Sequence, residues 1–243
     1  MRKDIRKTLR STLRLLGLEV SRVARSDYQR RRGRLLQIWR IEHVLDVGAN
    51  LGQYVRQLRA NGYSGRVTSF EPQPEAFDRL YRSWHKDQNW EGRQVAVGAS
   101  AGEAILKVTR DSVSSSLLNP SQFYSKIVPA ADVARTITVP VIPIAPILDS
   151  LSLKSPRIHL KVDVQGFEQS VIDGAGASLQ NCAALEIELA LAPLYDGATL
   201  LSELLPRLLR QGFYIVGVNE GFVDPTSLRT LDIDVLMKNP LFD

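Results

Sequence analysis

Asp46, Gly48, Asn50 and Gly52 fall within one eleven-residue stretch, Val44–Tyr54, that begins apolar and breaks into a turn. A buried strand, a glycine-bearing turn and a helix start are the parts of a nucleotide-type cofactor site. Gly48 and Gly52 allow the backbone to turn and a ligand to approach closely. The dinucleotide fingerprint GxGxxG is not met, because Asn50 replaces its middle glycine and Gln53 its third. A carboxylate at Asp46 would repel a pyrophosphate and attract an ammonium or a sulfonium. Its plainer reading is a cap on the turn through its own backbone.

Three further stretches supply partners. Glu71, in Ser69-Phe70-Glu71-Pro72, lies 23 residues after Gly48, near the ~20 expected of an acid that accepts from ribose hydroxyls. Val97-Gly98-Ala99-Ser100 ends a third strand, where an adenine ring would lie and Ser100 could contact it. Lys161 and Asp163 alternate within Leu160–Glu168, and Glu186 and Glu188 alternate within Ala184–Leu189, so each pair shares a face. Charges on strands expected to be central are costly unless partnered. Lys161 could pair with one of the glutamates, either as a structural ion pair or as part of a polar cluster facing a cleft.

The elements that must position these residues alternate. Strands are expected at Glu42–Val47, Arg66–Glu71, Gln94–Gly98, Ile158–Val164, Ala184–Leu191, Phe213–Val218 and Asp232–Met237. Helices are expected at Gly52–Asn61, Pro74–His85, Glu168–Gly174 and Leu200–Gln211, and a short one begins at Leu148. Ala104–Thr109 and Thr136–Ile142 read as additional strands, separated by a loop at Asp111–Ala134. This pattern implies an α/β, doubly wound, Rossmann-like fold. Its seven-stranded sheet is mostly parallel, with helices on both faces and an antiparallel edge strand from the hairpin formed by the last two strands. Ligands in such sheets lie at the carboxyl ends of the strands.

The 243 residues divide into a basic amphipathic helical extension, 1–40, and one domain, 41–243. Residues 1–40 hold 13 Lys or Arg against three acids, so the extension carries net +10 and the body net −5. Ile5, Leu9, Leu13, Leu16 and Val20 recur at helical steps. Three readings of the extension stand: a solvated helix packed on the domain or on a second copy in a homodimer, a helix on an anionic membrane surface, or a nucleic-acid contact. The last lacks interleaved aromatics, and no nucleic acid is expected. The sequence holds no apolar run of ~20 residues, and no secretory signal is expected. The expected location is therefore cytoplasmic, with a peripheral membrane contact at the inner face as the variant. The single cysteine, Cys182, excludes an internal disulfide and a cysteine zinc site, and suits a small buried residue. His43, His85 and His159 show no ligand spacing.

Together Val44–Tyr54, Phe70-Glu71-Pro72 and above all Leu160-Lys161-Val162-Asp163-Val164-Gln165-Gly166-Phe167-Glu168, followed by Gly174, resemble the FkbM family of class I S-adenosylmethionine-dependent methyltransferases. The resemblance covers about residues 41–238. It implies that Asp46, Gly48, Asn50 and Gly52 surround the methionine part of the cofactor, that Glu71 holds the ribose, and that Asp163 lies beside the sulfonium and the acceptor. Gln165 stands where an acid is frequent in the family. Members commonly methylate hydroxyls of sugars, glycolipids or polyketides, so O-methylation of such an acceptor is the expected activity.

Methyl transfer to oxygen is an in-line displacement that needs the acceptor held about 3 Å from the methyl carbon and its proton accepted during attack. Asp163 is the expected acceptor-orienting residue, and Lys161 orients it or tunes its charge. Gln165, Glu168 and Glu188 are candidates for bonding a polyhydroxyl substrate. No metal is expected, although Asp163, Glu186 and Glu188 carry oxygens suited to Mg²⁺. The alternatives are an N-methyltransferase on the same fold, and a non-enzymatic membrane- or partner-binding module with a vestigial pocket. The acceptor pocket is expected to draw on Asp111–Ala134 and on Leu191–Asp196.

Overall fold

The computed structural model describes residues 27–153 and 157–243, and residues 1–26 of the helical extension expected over 1–40 lie outside them. The described chain opens with helix α1 (Asp27–Ile38). Tyr28, Arg32 and Leu36 recur at four-residue steps and so share one face. Arg32 and Leu36 are buried, while Arg30, Arg31 and Arg34 face outward. The arginines at 30, 31, 32 and 34 are therefore divided, with Arg32 turned into the fold.

Strand β1 (His43–Val47) follows, then helix α2 (Gln53–Ala60), β2 (Arg66–Phe70) and α3 (Pro74–Trp84). Pro74 sits in the first turn of α3, where its missing N–H costs nothing. β3 (Trp90–Arg93) completes one half of the main sheet. β7 (Ile158–Val162), α6 (Glu168–Ala175), β8 (Cys182–Ala190), α7 (Leu201–Arg210), β9 (Tyr214–Glu220) and β10 (Asp232–Lys238) build the other half. The strand order is β3-β2-β1-β7-β8-β10-β9. Pairing is parallel from β3 through β8, and β10 runs antiparallel to both β8 and β9. The expected edge hairpin forms, with its antiparallel member on the inner side.

The third main strand is not Gln94–Gly98, as the sequence suggests, but Trp90–Arg93. Glu91 and Arg93 point outward and pair with each other. That is what an edge strand does with alternate positions, and it hides the strand from an apolar-pattern search. Ala96–Val97 forms a short β4 in a second sheet of order β4-β6-β5, with β5 at Gly102–Thr109 and β6 at Val133–Ile142. The antiparallel pairing of β5 and β6 agrees with the two additional strands expected there. The loop between them contains helix α4 (Gln122–Ile127), whose first turn is capped by Ser121 Oγ accepting from the Tyr124 N–H at 3.1 Å. Helix α5 (Ala145–Ser152) precedes β7.

The two faces of the main sheet differ. On one, Leu45, Val47, Leu160, Val162, Leu185 and Ile187 pack with Leu148, Val171, Ile172, Leu204 and Leu208 into the largest core, which also holds Cys182. On the other, Val44 and Val67 pack beneath Leu36, Tyr54, Val55 and Leu58 of α1 and α2. Toward the carboxyl ends of the strands that second face turns polar. α6 lies against the backbone leaving β4: a Cβ on Gly174 would come within 1.9 Å of the Gly98 carbonyl oxygen. None of the described helices is long and apolar enough to cross a membrane.

Candidate cofactor and acceptor site

Chain order reverses on either side of β1, which lies between β2 and β7. Crevices for ligands form at such points. A cavity of about 290 Å³ opens there, near the lower end of the ~300–1,000 Å³ usual for small-molecule sites. Strand register places Asp46, Lys161 and Glu186 in one row across three neighbouring strands.

This row of charge is stabilised by pairing. Lys161 Nζ donates to Asp163 Oδ2 at 2.8 Å and stands 3.9 Å from Asp46. The cross-strand pairing of Lys161 with a glutamate is not formed. Glu186 is instead taken from above, by Arg32 Nη1 at 2.9 Å and the hydroxyls of Tyr54 at 2.7 Å and Tyr28 at 3.2 Å. Burial opposes charge on Glu186, but Arg32 and its other partners hold it below the usual carboxylate range. Burial opposes charge on Asp163 as well, and Lys161 holds it low. Among the described residues Asp46 has Ser69 Oγ as its one hydrogen-bond donor, at 3.1 Å, and burial raises its pKa.

Of the residues expected to hold the cofactor, Gly48, Asn50 and Glu71 line the cavity, whereas Asp46, Gly52 and Ser100 do not. Asp46 lies fully buried behind the wall rather than capping the turn. Gly48 and Gly52 both have positive φ, and their freedom serves packing: a Cβ on Gly48 would meet the Asp163 carbonyl oxygen at 1.8 Å, and one on Gly52 would meet Trp84 Nε1 at 2.5 Å. Ser100 is exposed beyond β4. Glu71 Oε2 accepts from the Asn50 N–H and Oε1 from the Gln73 N–H, both at 2.8 Å. Burial pushes its carboxyl up to about 7.

Of the expected catalytic and acceptor residues, Lys161, Asp163 and Gln165 line the cavity. Gln165 Nε2 donates to Asp163 Oδ1 at 2.9 Å and to Glu188 Oε2 at 2.8 Å, and its Oε1 lies 2.9 Å from the Tyr195 hydroxyl. An amide can serve two carboxylates at once, where an acid at this position would add a third negative charge. Glu168 Oε1 accepts from the N–H groups of Val164 and Gly166, at 3.0 and 3.2 Å, and so ties down the loop after β7. Burial pushes it up to about 7. Glu168 and Glu188 face a recess of about 10 Å³ beside Tyr195 and Asp232, about the size of one water. Among the described residues no group of three or more His, Cys, Asp or Glu could hold a metal ion.

Two wall segments were not singled out by motif. Arg32, Tyr54, Gln57, Glu186 and Asp234 line one end of the cavity. The four-residue spacing of Tyr28, Arg32 and Leu36 is the signal that could have found Arg32. Ser112–Leu117 forms a strap along the cavity wall, within the loop expected to shape acceptor choice. It is held by Asn50 Nδ2 on the Ser112 carbonyl at 3.4 Å, by Ser116 Oγ on the Gln165 carbonyl at 2.7 Å, and by the Tyr195 hydroxyl 2.9 Å from the Ser114 carbonyl.

These residues fit a nucleoside that carries an amino acid. Phe70, Pro72, Val95, Val97 and Leu106 make one end apolar, as an adenine ring requires. Each Glu71 oxygen uses one lone pair on a backbone N–H and keeps another for a ribose hydroxyl. Asn50 Oδ1 is a buried acceptor without a partner on the wall.

Comparisons with known proteins agree with this chemistry. Residues 46–215 match the methyltransferase FkbM domain. No curated protein matches the chain. Among solved structures, a protein from Listeria monocytogenes provisionally described as an S-adenosylmethionine dependent methyltransferase aligns over 90% of this chain and 99% of its own, at 9% identity and TM-score 0.47. A SAM dependent methyltransferase from Aquifex aeolicus aligns over 84% and 87%, at 13% identity and TM-score 0.40. The assignment rests on the family match, not on these distant likenesses. With a match spanning most of the described domain and a cavity suited to the cofactor, the chain belongs to the FkbM family of S-adenosylmethionine-dependent methyltransferases.

Proposed function

We propose that this enzyme methylates a hydroxyl oxygen on a sugar, a glycolipid or a related polyhydroxyl natural product. The observation that carries the reading is the presentation of Asp163. Its side chain is 32% exposed, against 9% for Lys161, 4% for Glu186 and 0% for Asp46. Among these charged neighbours it is the one turned most toward the cavity, and Lys161 and Gln165 fix its two oxygens. When bound, the cofactor supplies an electrophilic methyl group on its sulfonium. Asp163 then accepts the hydrogen bond of an acceptor hydroxyl, and Gln165 extends the polar surface beside it, held from behind by Glu188. Because Lys161 holds the Asp163 carboxyl low, it is a weak base. Its part is to aim the oxygen and to take up the proton as attack proceeds.

Asp163→Asn keeps the size and loses the charge. Its turnover, followed as labelled methyl transfer into glycan and lipid extracts, should fall roughly 10²–10⁴-fold, while calorimetry with S-adenosylhomocysteine shows near-normal affinity. Near-normal turnover would remove Asp163 from the mechanism.

We also propose that the methyltransferase domain extends back to about residue 27, since α1 packs on the sheet through Arg32 and Leu36. The remaining basic segment, 1–26, is proposed to rest on an anionic membrane surface, which suits a glycolipid acceptor. Deleting residues 1–26 should abolish sedimentation with phosphatidylglycerol vesicles and leave S-adenosylhomocysteine affinity unchanged. Unchanged sedimentation would sink the membrane reading.

A further inference from the structure

The end of the cavity beneath α1 is built differently from its apolar end. Arg32 donates Nη1 to Glu186 at 2.9 Å and Nη2 to Gln57 Oε1 at 2.8 Å, and its guanidinium lies 4.4 Å from the Tyr54 ring centre. Among the described residues its Nε is buried and has no partner. A buried donor left unsatisfied is costly, and such groups are rare unless a ligand or a water completes them. The residue lines the cavity and is 4% exposed. It stands outside the segment 46–215 that matches the family.

The charges around it are complementary to a zwitterion. Arg32, already paired with Glu186 through Nη1, still offers its Nε–H as a donor. Asp234, pushed up to about 6 by burial and the nearby Glu186, and Asp163 provide carboxylates on the same wall. Lys161, the other cation of this wall, is already engaged by Asp163. The cavity runs across the sheet from Glu71 beyond β2 to Glu186 on β8, so a cofactor whose ribose lies at Glu71 extends its other end toward Arg32.

We propose that Arg32 receives the carboxylate of the methionyl part of S-adenosylmethionine through its Nε–H, and that α1 is thereby a wall of the cofactor site. The proposal rests on the cofactor assignment and is independent of the acceptor. It makes Arg32 a binding residue that the family segment alone lacks.

Calorimetry on the full chain tests it with two ligands that share adenine, ribose and sulfur. S-adenosylhomocysteine carries the amino acid, and 5′-methylthioadenosine does not. Arg32→Met should weaken S-adenosylhomocysteine about 10–100-fold, the range of a hydrogen bond to a charged group. It should leave 5′-methylthioadenosine within about twofold. Equal losses for both ligands, or none for S-adenosylhomocysteine, would overturn the proposal. Arg32→Met strands Glu186, so the same pair of titrations is run on Arg32→Met with Glu186→Gln, which removes both charges. Wild-type protein gives a measurement free of any substitution: decarboxylated S-adenosylmethionine should bind at least about tenfold more weakly than S-adenosylmethionine, and equal affinity would again overturn it. If wild-type protein binds neither adenosyl ligand, the cofactor assignment itself fails and the proposal falls with it.

Discussion

Leu185 and Glu186 are neighbours on β8, yet they enter two interiors with different rules. Leu185 joins Leu160, Val162 and Ile187 in a core where any well-fitting apolar side chain satisfies the physics. Glu186 enters a layer where each charge is admitted with named partners, here Arg32, Tyr54 and Tyr28. One sheet therefore has an insulating face and a charged face. The charged face carries its carboxylates and lysine toward the carboxyl ends of its strands, where the cavity opens. Alternate residues of the same strands thus hold the fold together on one side and line the cavity layer on the other.

The largest expected effect sets the two faces against each other directly. Glu186→Ala leaves Arg32 charged and buried and should cost about 3–5 kcal/mol in urea unfolding. It should also weaken S-adenosylhomocysteine, because Arg32 loses its anchor. Leu185→Ala should cost a similar ~2–5 kcal/mol through the cavity it leaves, with ligand affinity within about twofold of wild type. If Leu185→Ala damages affinity as much as Glu186→Ala, the division between the faces is not real.

A smaller effect sharpens the contrast by separating function from stability. The Glu71 carboxyl rises from 4.5 to about 7 on folding because it is buried. A carboxyl that holds its proton more tightly in the folded chain contributes stability fully present below about 4.5 and lost as pH rises through about 7. At pH 8 its charge therefore costs up to about 3 kcal/mol. Glu71→Gln should show a more favourable unfolding free energy, relative to wild type, at pH 8 than at pH 5. Its affinity for S-adenosylhomocysteine at pH 8 should fall. A relative stability that does not change between pH 5 and pH 8 would mean that Glu71 is not strained by its burial.

The contrast between the faces also explains what could be read from the sequence. The apolar face was legible because Leu160, Val162, Leu185 and Ile187 alternate cleanly, and that alternation also delivered the order of strands and helices. Glu71 was legible because its spacing from Gly48 is set by one βα unit. The partners of the charged face were not. Lys161 finds Asp163 and not a glutamate because Arg32, more than 150 positions earlier in the chain than Glu186, has already occupied that acid. No local pattern encodes such a meeting. The strand Trp90–Arg93 escaped for a related reason: edge strands display charge at alternate positions and so resemble loops. The glycines of the first turn were recognised as necessary, but the need at Gly48 and Gly52 is set by Asp163 and Trp84, which lie far away in sequence.

Helix α6 spans eight residues, and both of its ends are committed. Glu168 at its start ties down the loop that carries Gln165, and Gly174 near its end touches the backbone leaving β4, beside the apolar wall. The helix thus acts as a fixed strut between the Gln165 side of the cavity and its apolar end, and neither can be remodelled there without disturbing the other. The strap Ser112–Leu117 also touches both sides, through Asn50 and the Gln165 carbonyl, but by single hydrogen bonds rather than through a helix. Under the proposed acceptor reading, drift toward a new acceptor has its natural place in the strap, which lines the cavity.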